Sequence, residues 1–192
     1  MRQTETIVSK TTNLGTVVFE NAGSTSQLGL EVLLGYVFIN DKKKPISLLK
    51  LQTAYTHHNF TFRDYSKISG GENVDYSGNR LTGTAPHISV TTFDLATRAG
   101  YYFNLTYNFT DEIPLNDANT VFADSYQLVT LKTGWKVSIK QKHQLDVFLG
   151  IDNLLNEKYS LGNDLNAFGQ RYYNASPERN YFGGLKVYLH KN

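Results

Sequence analysis

His57 and His58 stand side by side in the stretch AYTHHNFTF and are the first groups to weigh for metal or proton chemistry. That stretch alternates as a strand does, and neighbours on a strand face opposite sides, so the two imidazoles cannot close on one ion. They read as structural or loop-edge groups. Asp111, Glu112, Asp117 and Asp124 fall in one polar segment, where carboxylates could hold Ca²⁺; a solvated loop is the simpler reading. The sequence carries no H-E-x-x-H, P-loop or G-x-S-x-G pattern. Cysteine is absent, which removes disulfides and thiolate metal sites. The expectation is therefore no enzyme, no catalytic residue, no metal site and no cofactor.

The elements that would position any site are strands. Aromatic residues make up 13% of the 192-residue chain, and they fall in alternating stretches rather than in a helical stripe. YYFNLTYNFT is the clearest: Tyr101, Phe103, Leu105, Tyr107 and Phe109 share one face, and Tyr102, Asn104, Thr106 and Asn108 the other. An apolar face against a polar one suits a wall with lipid on one side and water on the other. SLLKLQTAYTHHNFTF puts Leu49, Leu51, Thr53 and Tyr55 outward, with Lys50, Gln52, Ala54 and Thr56 inward. Val129, Leu131, Trp135, Val137 and Ile139 face away from Thr130, Lys132, Gly134, Lys136 and Ser138, and Leu145, Val147, Leu149 and Ile151 repeat the pattern. Tyr181, Leu185, Val187 and Leu189 form the apolar face of a closing strand. Leu28, Leu30, Val32, Leu34, Tyr36 and Phe38 share a parity in an earlier one, and a short strand is expected at Thr6 to Val8. In HISVTTFDLAT the parity slips between Val90 and Phe93, which predicts a bulge near Thr91 or Thr92.

No run approaches the 18 or so apolar residues of a membrane helix. A barrel strand needs only about 9 to 11, which these stretches supply. The net charge of +2 is too small for the electrostatic footprint of a nucleic-acid binder. The links alternate between short (40–47, 97–100, 140–143) and long (63–86, 110–124, 155–180). An up-and-down outer-membrane barrel has short turns at one end and long loops at the other. Seven strands would leave two unpaired edges, costly in lipid. The fold expected is all-β: an antiparallel, up-and-down transmembrane β-barrel segment of about 7–8 strands.

FENAGSTSQLGLE, AYTHHNFTF, DYSGNRLTGTAPH, FLGIDNLLNEKY and PERNYFGGLKVYL, in that order from about residue 16 onward, resemble the C-terminal half of the barrel of TonB-dependent outer-membrane receptors. The resemblance implies that residues 1–192 are the C-terminal part of a barrel of about 22 strands, a size class with a plugged lumen. The plug, the TonB-contacting segment and the first barrel strands would then belong outside this stretch. Arg179 and Tyr181 match the family's terminal motif and are assigned to barrel structure. The chain departs from the family in ending on His190, Lys191 and Asn192 rather than on an aromatic residue. By the same resemblance the partners are outer-membrane lipid, the TonB complex and a scarce ligand, with a ferric siderophore favoured. Ligand contact would come from the outer loops, through Tyr65 and Tyr76 in the first long loop and Phe168, Arg171, Tyr172 and Tyr173 in the last. Two other functions fit the residues: a plug-free porin-like channel, and a soluble β-sandwich binding module.

Overall fold

The computed structural model describes residues 2–4, 7–11, 14, 16–21, 23–69, 72–139 and 143–189. Its frame is one antiparallel sheet of eight strands: β1 (Arg2–Thr4), β2 (Ser24–Asn40), β3 (Ile46–Asp64), β4 (His87–Thr97), β5 (Tyr101–Thr110), β6 (Tyr126–Ile139), β7 (His143–Asp152) and β8 (Asn180–Leu189). Spatial order follows chain order, which is the up-and-down meander that the alternating link lengths predict. Thr6 and residues 140–142 and 190–192 lie outside the described residues; the early strand is found at Ile7–Thr11, paired with Val17–Asn21.

Register decides which side chains share a face, because directly paired residues point the same way. Leu105 pairs with Phe93 and Leu131, and Leu131 with Ile151. Asn104 pairs with Asp94 and Lys132, and Lys50 joins that row through Asp94. The sheet therefore has an apolar face and a polar one, divided as the alternation predicts. On the apolar face Leu28, Leu30, Leu34, Leu149, Leu185 and Leu189 are exposed. That is a surface suited to lipid rather than water. Two of its hydroxyls pair with each other: Thr53 and Thr91 share a hydrogen bond of 3.1 Å, which leaves neither group orphaned where no water is at hand.

The predicted bulge at Thr91 or Thr92 is not there. Thr91 faces Thr53 and Tyr107, and Thr92 faces Gln52 and Thr106, with no shift of register. The parity slips because Ile88 and Val90, both half-buried, sit on the polar face beside Thr110 and Asn108. The exception is one of residue type, not of backbone geometry. Bulges occur elsewhere, between Val37 and Ile39 and between Ile46 and Leu48, flanking one short turn. At the first, Phe38 packs edge-on against Tyr36 with ring centroids 4.7 Å apart, and Ile39 opposite Leu49 continues the apolar face. The extra residue shifts the parity, so Val37 opposite Lys50 lies on the polar face and Ile39 on the apolar one.

Short turns close one end. Asp41 Oδ1 accepts from the Lys43 amide at 2.9 Å, an Asx-type turn. Gly100 has φ +94°, and a Cβ there would collide with the Lys136 carbonyl, so the β4–β5 turn requires glycine. Beside it Tyr101 and Trp135 stack at 6.0 Å, and the Trp135 indole N–H donates to the Ala99 carbonyl at 2.9 Å. An aromatic residue with one apolar and one wet end belongs at a membrane surface.

Facing is testable by charge insertion. Leu105→Arg, near mid-strand on the apolar face, should cost roughly 2–4 kcal/mol and impair membrane assembly. Asn104→Arg, one residue away on the polar face, should assemble normally. Heat-modifiable mobility of outer-membrane fractions reads both, and equal effects would overturn the assignment of faces.

Candidate functional site

All three long links leave the same end of the sheet and fold into one packed assembly. Each carries a short ribbon of its own: Ser66–Ser69 with Glu72–Asp75, Ile113–Pro114 with Phe122–Ala123, and Ser160–Asn163 with Tyr173–Ala175. Apolar contacts join the second and third loops, with Leu115, Ala123 and Tyr172 as a buried cluster under Ile113, Val121, Leu165 and Ala167. The first loop closes against the third at Gly83, where φ is +82° and a Cβ would stand 2.6 Å from Leu165 Cδ1. The Gly83 amide donates to the Pro114 carbonyl at 2.8 Å, and the Asn166 amide to the Leu115 carbonyl at 2.9 Å.

Asp117 lies at the centre, 2% exposed. Its Oδ2 accepts from the Tyr65 hydroxyl at 3.0 Å. Its Oδ1 accepts from Thr82 Oγ1 at 2.7 Å and from Asn166 Nδ2 at 3.0 Å. Its amide donates to Asn166 Oδ1 at 3.0 Å, its carbonyl accepts from Asn79 Nδ2 at 2.8 Å, and Lys67 Nζ stands 3.8 Å from Oδ2. One carboxylate thus ties the first loop to the second and the second to the third. A buried carboxylate is costly unless its lone pairs are met, and here protein donors meet them. The solvated-loop reading is corrected for this residue: Asp117 is a buried junction, its charge held by side chains from two other segments.

The other acids have separate tasks. Glu112 Oε1 accepts from Arg80 Nη1 at 2.7 Å, and the Arg80 guanidinium lies 5.4 Å from the centre of the Phe122 ring. Asp111 Oδ1 accepts from the Glu112 amide at 2.8 Å, and Asp124 is exposed. In the first loop, hydrogen bonds from the Ser77 hydroxyl and amide hold the Asp75 carboxyl below its ordinary value. Because that pKa is depressed, the turn is fully supported above the ordinary carboxylate range and loses support as pH falls through the lowered value. The histidines serve as loop-edge groups: His57 Nδ1 donates to the Pro86 carbonyl at 3.2 Å and His58 Nδ1 to the Ala85 carbonyl at 3.1 Å.

The six residues singled out for ligand contact divide by burial. Tyr65, 3% exposed, packs against Phe62 with ring centroids 4.8 Å apart and uses its hydroxyl on Asp117. Tyr172, 7% exposed, belongs to the loop core. Both therefore order the loops from within. Tyr76 is half-buried at 5.6 Å from Tyr65. Phe168 and Arg171 are exposed on and just after a 3₁₀ turn at Phe168–Gln170. Tyr173 is 58% exposed, its hydroxyl donating to the Phe122 carbonyl at 3.1 Å.

Tyr173 also lines a cleft of about 280 Å³ between the second and third loops, with Asp124, Tyr126, Lys158, Tyr159 and Asn163 among its walls. Tyr126 pairs with Thr110, which places it on the polar face, and its ring stacks on Tyr159 at 4.9 Å. Sequence reasoning missed Tyr126 and Tyr159 as site residues. The first reads as a strand end and the second as part of the family segment FLGIDNLLNEKY; only the fold brings them together. It also missed Asn166, whose φ of +50° aims both ends of its amide at Asp117.

Removing the junction should loosen all three loops together. Asp117→Ala strands the Tyr65, Thr82 and Asn166 donors and should cost about 3 kcal/mol. Hydrogen exchange should quicken across residues 72–86 and 160–175 while β5 and β6 stay protected; exchange that quickens only in the second loop would show that Asp117 is not the junction.

A family model described as TonB dependent receptor-like, beta-barrel matches residues 2–154. The sheet and its loops also superpose on solved structures. The siderophore receptor PiuA from Acinetobacter baumannii aligns at a TM-score of 0.67 and 15% identity, over 97% of this chain and 25% of that one. The ferric citrate transporter FecA, in unliganded form, aligns at 0.66 and 19%, over 86% and 24%. The ferric yersiniabactin uptake receptor FyuA from Yersinia pestis aligns at 0.62 and 17%, over 88% and 24%. The chain thus spans about a quarter of the length of each of these structures, and at such identities the likeness speaks for the fold. With its single meander, lipid-suited face, sorted loops and a family match over most of its length, the chain belongs to the β-barrel family of TonB-dependent outer-membrane receptors.

Proposed function

We propose that this chain supplies part of the wall and three outer loops of a receptor that imports a scarce ligand across the outer membrane by TonB-dependent transport, with a ferric siderophore as the favoured ligand. The observation that carries this reading is the fused loop assembly. Loops that served only to connect strands would not be tied through a buried carboxylate, whereas a surface that must meet a ligand gains from being ordered beforehand. Family membership supports the transport class, and the similarity to PiuA and FyuA, a siderophore receptor and a ferric yersiniabactin uptake receptor, supports the ligand class.

In this reading residues 1–192 form the C-terminal part of a barrel of about 22 strands, the size class with a plugged lumen. The polar edge of β8 and most of that of β2 have no partner strand among the described residues. In lipid each unpaired backbone group costs several kcal/mol, so the wall closes through further strands. The plug and the contact with the TonB complex belong to the rest of the receptor. Ligand meets the half-buried Tyr76 and the exposed Phe168, Arg171 and Tyr173, and enters the cleft under Tyr126 and Tyr159; Tyr65 and Tyr172 hold these in place from beneath. Aromatic faces and a guanidinium suit a flat or anionic chelate. A β-sandwich is set aside by the single meander and the family match, and a plug-free channel would have no use for a rigid loop surface.

Uptake of ⁵⁵Fe-loaded siderophores by cells carrying the receptor tests the reading. Arg171→Ala with Tyr173→Ala should lower uptake about tenfold, as loss of interface anchors does, at an unchanged amount of receptor in the outer membrane. Unchanged uptake removes these residues from the ligand surface, and uptake of no ferric siderophore by the unaltered receptor removes the ligand class.

A further inference from the structure

The outward face holds two histidines that lie far apart in the chain. His57 on β3 and His87 on β4 are directly paired, and because His57 also pairs with Leu30 on β2, both stand on the apolar face. A plug would lie behind this face, in the lumen, and the flanking strands β2 and β5 belong to this chain. The two imidazoles stack with ring centroids 4.7 Å apart and planes 21° from parallel. Neighbours on one strand part to opposite faces, as His57 and His58 do, whereas a cross-strand pair shares a face.

Each ring is oriented through its Nδ1. That of His57 lies 3.2 Å from the Pro86 carbonyl; a carbonyl only accepts, so Nδ1 carries the proton and Nε2 keeps its lone pair. That of His87 lies 2.8 Å from the Tyr55 hydroxyl, which can accept from Nδ1–H as well as donate, and when it accepts, His87 Nε2 also has a free lone pair. Metal-ligating histidines are commonly held this way, one nitrogen on an oxygen acceptor and the other on the ion. Bonds of about 2.0 Å to one ion set two nitrogens about 3 Å apart. Rings at this spacing reach that by a small turn about χ2, a soft torsion in histidine.

The pair stands where ions can arrive. From Ile46, the start of β3, His57 lies roughly 36 Å along the strand at about 3.3 Å per residue, or roughly 28 Å in height at a tilt of about 40°. That is the upper edge of an apolar band about 25 Å tall, and Asn59 and Thr61 follow on the same face. The pair also closes the base of the first long loop. It is the last pairing of β3 with β4, and the His58 amide donates to the same Pro86 carbonyl at 2.8 Å. Beyond His87, the Asp111 amide donates to its carbonyl at 2.9 Å, and Asp111 Oδ1 accepts from the Glu112 amide. Among the described residues no third histidine or acid joins the pair in a group of three, so water would complete the ion's shell.

We infer that His57 and His87 form a metal site on the outer rim of the wall, holding one divalent transition ion of the kind that imidazole suits, Cu²⁺ or Zn²⁺, and tying together the two ends of the first long loop. The site rests on the strand register and not on which ligand the loops admit.

Cu²⁺, added at one equivalent to the receptor purified without a polyhistidine tag, reads the site by electron paramagnetic resonance. The spectrum should show splitting from two imidazole nitrogens. His57→Gln and His87→Gln should each remove that pattern, while His58→Gln, on the opposite face, should leave it unchanged. Tyr55→Phe, which takes away the group that holds His87, should weaken Cu²⁺ binding about tenfold. Zn²⁺ should slow hydrogen exchange across residues 80–87 in the unaltered receptor. A spectrum without the two-nitrogen splitting, or one that survives either glutamine variant, overturns the site, and exchange unmoved by Zn²⁺ overturns the tie. Where a glutamine variant loses heat-modifiable mobility, Tyr55→Phe decides, and unchanged Cu²⁺ affinity there overturns the proposal.

Discussion

A wall that stands in lipid must pair its own backbone groups, and most of this structure follows from that requirement. No water is available to satisfy an N–H or C=O in the hydrocarbon layer, so the ladder from β2 to β8 runs almost unbroken, with shifts confined to the strand ends. An unbroken ladder fixes register, and register with a period of two fixes which side chains meet lipid. The same constraint sorts the links. A meander of strands long enough to cross must turn at each surface, so the short turns at Asp41 and Gly100 gather at one end and the three long loops at the other. Polar side chains on the lipid side then have to find each other, as Thr53 and Thr91 do.

Beyond the membrane the ladder ends and a different interaction takes over. The three loops have only short ribbons of their own, and such ribbons are marginal in isolation. Order comes from side chains reaching between loops. Asp117 gathers five of them, Tyr65, Lys67, Asn79, Thr82 and Asn166, and the bonds to its carboxylate are charge-assisted in a low-dielectric setting. Leu115 and Tyr172 supply the apolar contact, and Gly83 allows the first loop to approach Leu165 closely. The exposed Tyr173 and Arg171 flank the buried Tyr172 in sequence. Anchoring the one in the core therefore sets the direction of the other two, which is how a loop can present a defined surface without being part of a sheet.

What the sequence made legible follows the same division. The strands, their faces and the sorting of links could be read because each depends on local alternation, and Lys50, Asn104 and Leu105 fall on the faces expected. The bulge expected at Thr91 failed because a slip of parity has two causes, an extra residue or an apolar residue on the wet side, and Ile88 and Val90 are the second. In the loops, alternation says nothing. Asp117 looks like its neighbours Asp111 and Asp124 in a string of acids, and only the placing of Tyr65 and Asn166, 52 and 49 residues away in the chain, makes it a buried junction. Aromatic content marked Tyr65 and Tyr172 as readily as Tyr173, since a tyrosine that orders a loop and one that could touch a ligand have the same composition signal. Burial separates them, and burial in a loop depends on contacts too distant in sequence to read from a period.

The polar face shows why the two ends of the wall can do different work. At the loop end Arg80 pairs with Glu112 and Lys67 stands near Asp117, and these charges hold shape. At the turn end Asp94 and Asp146 are taken by neutral donors, and the lysines are left with rings. A strand gives no reason for this difference, because Lys132, Lys136 and Lys186 sit on regular ladder positions like any other inward residue. The reason lies in Tyr102 and Asn104, two inward residues of β5 that reach the carboxylates first. Had either position been apolar, the nearest ammonium could have closed an ion pair and the wall would be electrostatically quiet. Which lysines on this face stand without an ion pair is therefore set by which neutral side chains reach the acids first.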